Sequence, residues 1–198
     1  MQKTNTRRIA FFDAEFTADN AKDRGIQEMI QCALVVHEIE ITDDMILISM
    51  SDEPICTYNT FVKPKYTQRL SKYIRNLTKI KQSDVNDGKD FDTVMCEICE
   101  FINNHHIEKI FTWGPDKIML RYNCSVLNCD KNKVNMICGK ICDISQRFSD
   151  FFGAGHALSQ HKVCQMLKIE EFGDMHNAYC DAINLSQIVR EFCGQKMP

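Results

Sequence analysis

An apolar run, IAFF at residues 9–12, ends abruptly at two acids, Asp13 and Glu15. Both alternating faces are apolar until the carboxylates arrive, so residues 8–16 are predicted to form a strand buried on both sides. MIQCALVVHEIE (29–40) and ICTYNTFVK (55–63) share the β-branched and aromatic bias and predict a second and third strand joined by turns. The period then changes. Phe91, Val94, Met95, Ile98, Phe101 and Ile102 recur at helical spacing, and Ser83 before an acidic stretch marks an earlier helix start. EKIFTW (108–113) predicts a short fourth strand, DKIMLRYNCSVL (116–127) a helix, and VNMICGKICDI (134–144) holds a fifth strand. ISQRFSDFF, HALSQHKVCQML and AYCDAINLSQIVREFC close the chain as helices, the last with a core stripe of Ala178, Ala182, Leu185, Val189 and Phe192. Strands first and then strand–helix alternation describe an α/β fold with a mixed sheet flanked by helices.

Composition narrows this further. A chain of 198 residues with 44% hydrophobic content can bury one sizeable core, and only 8 Gly and 4 Pro, with no linker or repeat, mark no boundary. Residues 1–198 are therefore read as one domain with its core over about 8–192. The first apolar stretch breaks at Asp13, too early for a signal-peptide core, and no run approaches the ~18 apolar residues of a membrane helix. A soluble, intracellular and cytoplasmic protein with no membrane partner is expected. Eleven cysteines, an odd number without an export signal, are expected as reduced, buried and inert thiols. Cys96 and Cys99 form the only C-x-x-C, within the helical stripe, and Cys138 with Cys142 is a poor second pair for structural zinc.

The net charge of −3 argues against a protein that coats nucleic acid through overall positive charge. Its distribution is uneven. Lys63, Lys65, Arg69, Lys72, Arg75, Lys79 and Lys81 fall in one stretch with no acid between them. Such a stretch is either a solvated face or a landing strip for phosphates.

Asp13 and Glu15, two apart on a strand, leave the same face with Cα atoms roughly 6–7 Å apart. Asp116 follows Trp113, Gly114 and Pro115 and, taken alone, reads as an acid complementing a helix start. His176 and Asp181 are five apart, which is not side by side on a continuous helix. Asp181 falls at the edge of the last stripe and His176 on the loop leading in, from which it can overhang the acid. Asp13, Glu15, Asp116 and Asp181 offer the hard oxygen ligands that two divalent cations, Mg²⁺ or Mn²⁺, favour. His176, with Glu15 beside it, is the candidate for taking a proton from water. The other histidines read blandly: His105 and His106 at a helix end, His156 and His161 with Cys164 in no tight ligand spacing. Asp143 reads as a helix cap before Ile144.

The order D-x-E, then D, then H-x-x-x-x-D resembles the DEDDh family of 3′→5′ exonucleases over residues 8–192. FVKP (61–64), LSKYIRNLTKIKQSDV (70–85) and WGPDKIMLRYNC (113–124) resemble the Eri-type and KapD-type branch. The resemblance implies an RNase H-like fold, a five-stranded mixed sheet with one antiparallel strand and helices on both faces. It also implies two-metal removal of nucleotides from the 3′ ends of single-stranded RNA or DNA, releasing 5′-monophosphates. The positions that hold the terminal nucleotide in that family match Phe16, Thr17, Leu77 and Thr78 here, with Leu77 suited to pressing on a base. Two departures stand out. Lys79 replaces the glycine of L-T-G-I, so a turn needing φ > 0 is expected to be strained or reshaped. WGPD is one residue shorter than W-G-x-x-D. A non-catalytic module that keeps the fold to bind nucleic acid or protein is the rival reading, and the presence of all five chemical positions favours the enzyme. An endonuclease or integrase of the wider RNase H-like group is disfavoured by the H-x-x-x-x-D ending.

Overall fold

The apolar run and its two acids lie on one long strand. The computed structural model describes residues 4–20, 22, 25–44 and 46–194. β1 (Thr4–Phe16) pairs antiparallel with β2 (Met29–Thr42) along its whole length. The outer edge of β2 is shared by two short antiparallel strands in succession, β3 (Leu47–Met50) on residues 39–41 and β4 (Cys56–Phe61) on residues 31–36. Pro54 lies in the gap between them, where it has no N–H to give a ladder. The chain continues through α1 (Lys72–Thr78), α2 (Gln82–Asn86), α3 (Phe91–Asn104), β5 (Lys109–Thr112), α4 (Asp116–Leu127), α5 (Lys131–Lys140) and β6 (Ile141–Asp143). It closes with α6 (Ser145–Phe151), α7 (Gln160–Leu167) and α8 (Ala178–Arg190). β5 joins β1 in parallel and β6 joins β5 in parallel. The sheet is thus five positions across with β2 alone running against the rest, as the resemblance implies, although its broken edge brings the strand number to six.

Two sequence expectations need correction. Most of VNMICGKICDI is helix, and the strand is only residues 141–143. Asp130 caps that helix, its Oδ1 accepting the Asn132 N–H at 2.9 Å, and Val134, Ile137 and Cys138 bury one face at helical spacing. HALSQHKVCQML becomes helical only at Gln160, because Ser159 is the cap that accepts the Lys162 N–H at 3.2 Å. The thiol expectation holds in part. All eleven cysteines are free, but only Cys32, Cys124, Cys138 and Cys164 are buried and the other seven are half-buried.

Strand alternation divides β1 between two helical layers. Ala10, Phe12 and Ala14 face α3, α4 and α5, whereas Ile9 and Phe11 face α6, α7 and α8. Asp13 and Glu15 continue the second face. On the adjacent β2, Ala33 and Val35 meet Ala178 and Ala182 of α8. These small side chains let the start of α8 approach the sheet closely, beside the point where β1 turns acidic. No helix among the described residues is long and apolar enough to cross a membrane.

Candidate active site

The site lies beyond the carboxyl ends of the parallel strands β1 and β5, where open α/β sheets place their chemistry. Asp13 and Glu15 are half-buried at the end of β1, and a register shift follows Glu15 opposite β2. Such bulges re-aim side chains next to active sites. Asp116 is the first residue of α4 and is only 5% exposed. The charge of Asp116 bears on Asp13 and Glu15, so the short WGPD loop still brings its acid near them. The indole N–H of Trp113 bonds to Leu158 O at 3.0 Å, and Gly114, at φ 124°, donates its N–H to Asp143 Oδ1 at 3.1 Å. The same Asp143 oxygen accepts the Ser145 N–H at 2.9 Å, so Asp143 ties two strand ends together, whereas the N-cap of α6 is Ile144 rather than the expected Asp143.

Asp181 enters from the first turn of α8 and His176 from the loop before it. His176 has a left-handed backbone (φ 61°), is exposed, and donates its N–H to Asp181 Oδ2 at 3.0 Å. Local polar residues hold that fold-back. Asn177 caps α8 by accepting the N–H groups of Tyr179 and Cys180, and Asn184 clamps Phe172 through bonds of 2.7 and 3.2 Å. Gln31, which stands opposite Glu15 in the β1–β2 ladder, accepts the Ala178 N–H at 3.2 Å. The result is that ligand atoms of Glu15, His176 and Asp181 all lie within 4.8 Å of one another.

The electrostatics follow from burial first and from neighbouring charges second. Burial, then the charges of Asp116, Glu15 and Asp181, raise the Asp13 carboxyl well above its ordinary range. Burial, with Asp181 and Asp116, pushes Glu15 up to about 8. Burial, with some help from Asp143, pushes Asp116 to about 7, and burial raises Asp181 to about 6 despite the opposing His176 N–H. Four carboxyls that resist ionising together are a site short of positive charge. Hard oxygens with one imidazole suit a divalent cation.

The substrate residues are arranged less simply. Phe16 and Leu77 are half-buried and leave part of their apolar surface accessible. Thr17 and Thr78 are buried, and their hydroxyls donate internally, to Ile26 O at 3.2 Å and to Ile74 O at 2.9 Å. Lys79 keeps the turn rather than reshaping it, sitting left-handed at φ 61° as the C-cap of α1, with Nζ bonded to Asn76 O at 2.7 Å. Sequence reasoning missed Gln31, Glu28, Asn123 and Asn184. All four are buried polar residues, and Gln31 interrupts the apolar run MIQCALVV that Glu28 directly precedes, a signal that was available.

A profile of the family described as "Exonuclease" matches residues 10–189. The chain belongs to that exonuclease family. This exonuclease is 26% identical over 153 residues to the "Probable 3'-5' exonuclease KapD" of Bacillus subtilis (strain 168), covering 76% of this chain and 72% of KapD. Its fold matches the nuclease domain of 3'hExo, a DEDDh family member solved with rAMP, with a TM-score of 0.78 at 17% identity over 94% of this chain and 92% of that one. A 3'-exonuclease solved for its 3'-end specific recognition of histone mRNA stem-loop also matches at a TM-score of 0.78 and 17% identity. That match covers 96% of this chain but 64% of the other, so this chain spans less than two thirds of its length. The acids of the D-x-E, D and H-x-x-x-x-D pattern stand at the end of β1, the start of α4 and the start of α8.

Proposed function

We propose that this exonuclease removes nucleotides one at a time from the 3′ ends of single-stranded RNA or DNA, releasing 5′-mononucleotides with the help of two divalent cations, Mg²⁺ or Mn²⁺. The observation that carries the reading is the convergence of Glu15, His176 and Asp181 within 4.8 Å, with Asp13 and Asp116 raised chiefly by burial. Asp13, Glu15, Asp116 and Asp181 would hold the ions. Bound divalent cations supply charge to offset that of the phosphodiester and its leaving oxygen. His176 accepts the proton of the attacking water from the side of the site open to solvent, its loop fixed by Asp181. Glu15 sits beside it and bears on the same water.

Phe16 and Leu77 provide apolar surface for the terminal base, with Thr17 and Thr78 shaping the pocket behind them. The basic strip supplies the path for the strand. None of Lys63, Lys65, Arg69, Lys72, Arg75, Lys79 or Lys81 is ion-paired among the described residues, and apart from Lys79, whose Nζ is bonded to Asn76 O, they offer their charges to phosphates. The test uses 5′-labelled single-stranded RNA and DNA with Mg²⁺, with Mn²⁺ and with chelator, comparing wild type, Asp13→Ala and His176→Ala. A stepwise ladder that chelator abolishes, and that His176→Ala slows by about 10²–10⁴-fold, is expected. Intact oligonucleotide under every condition would replace this reading by a non-catalytic binding module.

A further inference from the structure

The loop between β4 and α1 is anchored by a carboxylate that the chemistry above does not use. Glu28 is 1% exposed. Its two oxygens accept the backbone N–H groups of Lys65 (2.6 Å), Tyr66 (3.0 Å to each oxygen) and Thr67 (2.6 Å). A buried carboxylate is tolerated only when bonded as fully as this. Glu28 is also fixed to the continuation of β1: its N–H donates to Thr17 Oγ1 at 2.9 Å and its carbonyl accepts the Thr17 N–H at 2.8 Å. Gln82 holds the other end, accepting the Leu70 N–H at 2.8 Å and donating to Gln68 O at 3.3 Å. Residues 65–70 are thereby set at a fixed distance from the residue two positions beyond Glu15.

What this loop displays is an aromatic ring. Tyr66 is 50% exposed, with Lys65 Nζ 5.4 Å from its ring centroid. A pocket of about 270 Å³ separates Tyr66 and Thr67 from Thr17, Ala18 and Ser71. The hydroxyls of Thr17 and Ser71 already donate inside the protein, to Ile26 O and Ala18 O. Among the described residues Asp19, Gly25 and Ile26 complete the lining, and Tyr66 presents to it a ring with the Lys65 ammonium over one face. Stacking on such a ring holds any base, because every base has a π-face. An enzyme that must seat each successive nucleotide needs a hold indifferent to sequence.

We propose that Tyr66 is the stacking platform for the base of a nucleotide upstream of the one released, with Lys65 beside its phosphate, and that Glu28 is the positioning residue that fixes the platform. This rests on the exonuclease reading and adds a second nucleotide subsite to it.

The test compares wild type, Tyr66→Ala, Tyr66→Phe and Glu28→Gln on a single-stranded oligonucleotide and on the p-nitrophenyl ester of thymidine 5′-monophosphate, which has no upstream nucleotide. Tyr66→Ala should raise KM for the oligonucleotide roughly 5- to 150-fold, the span of one base–aromatic contact, with kcat little changed and the ester hydrolysed as by wild type. Tyr66→Phe should restore the oligonucleotide KM, and Glu28→Gln should follow Tyr66→Ala. A single abasic residue moved inward from the 3′ end should raise the wild-type KM at one upstream position and leave Tyr66→Ala unaffected there. An unchanged oligonucleotide KM in Tyr66→Ala, equal loss on both substrates, or an abasic effect confined to the terminal nucleotide would overturn the platform. Loss of ester hydrolysis in Glu28→Gln would overturn its positioning role. If wild type cleaves neither substrate, the exonuclease reading fails separately. The platform is then decided by anisotropy of a labelled oligonucleotide, where Tyr66→Ala must weaken Kd by the same factor and an unchanged Kd refutes it.

Discussion

Replacing Asp181 by asparagine removes one negative charge from the acidic cluster while keeping the side-chain shape and an oxygen to accept the His176 N–H. Burial raises the Asp181 carboxyl from 3.8 to about 6. Below the lower value it is protonated in both folded and unfolded chains. Between the two values only the folded chain keeps the proton, so stability falls by about 1.4 kcal/mol for each pH unit. Above about pH 6 the loss stops growing, at ~3 kcal/mol, and partial access to water reduces it to about 2–3 kcal/mol. Asparagine does not titrate and escapes the loss. In chelator, Asp181→Asn should therefore gain about 2–3 kcal/mol on wild type between about pH 4 and pH 7, which is about 4–12 °C in Tm for a chain of this length. Urea denaturation followed by circular dichroism at several pH values reads the gap directly, and added Mn²⁺ should shrink or reverse it while nuclease activity stays lost. A gap that is the same at pH 4 and pH 7, or one that closes as pH rises, would refute the electrostatic account of this site.

The remaining expectations concern the same site and its borders. Because Glu15 is raised to about 8 and Asp116 to about 7, Mn²⁺ must displace protons to bind, so its affinity should rise from about pH 6 to pH 8. Calorimetry in buffers of different ionisation enthalpy should show proton release, and none would contradict it. Lys79 is held left-handed at φ 61°, so Lys79→Gly should stabilise the fold by about 1 kcal/mol, seen as a higher urea midpoint. At Gly173 the backbone φ is +65°, and an added Cβ would collide with the Cys180 sulfur. Gly173→Ala should therefore displace the His176 loop, reducing kcat by about tenfold or more, while Mn²⁺ affinity, which would rest on Asp13, Glu15 and Asp116 as well as Asp181, falls less. Equal kcat in that variant would show that the loop tolerates the strain.

The chain's own order of residues was enough to establish the strand that carries Asp13 and Glu15, because an apolar run with two acids at its end has one economical reading: a buried strand that emerges into a site. It was also enough for α3 and α8, whose apolar stripes are long and strictly periodic. Short elements were less legible. α5 and β6 abut without a turn residue between Lys140 and Ile141, so an apolar stretch covering both reads equally well as one strand. The division of the sheet edge into β3 and β4 depends on where each pairs with β2, which no local pattern encodes. The site itself shows the same partition. Residue identities supplied five chemical groups spread over residues 13–181, but a linear pattern carries no distances. The small faces of Ala33, Ala178 and Ala182 set how closely α8 approaches the sheet. Gln31 and Asn177 fix where that helix begins, and the left-handed backbone of His176 turns it back onto Asp181. Which residue types are present was written in the chain; that Glu15, His176 and Asp181 converge follows from packing, since burial and mutual repulsion exist only once distant segments meet.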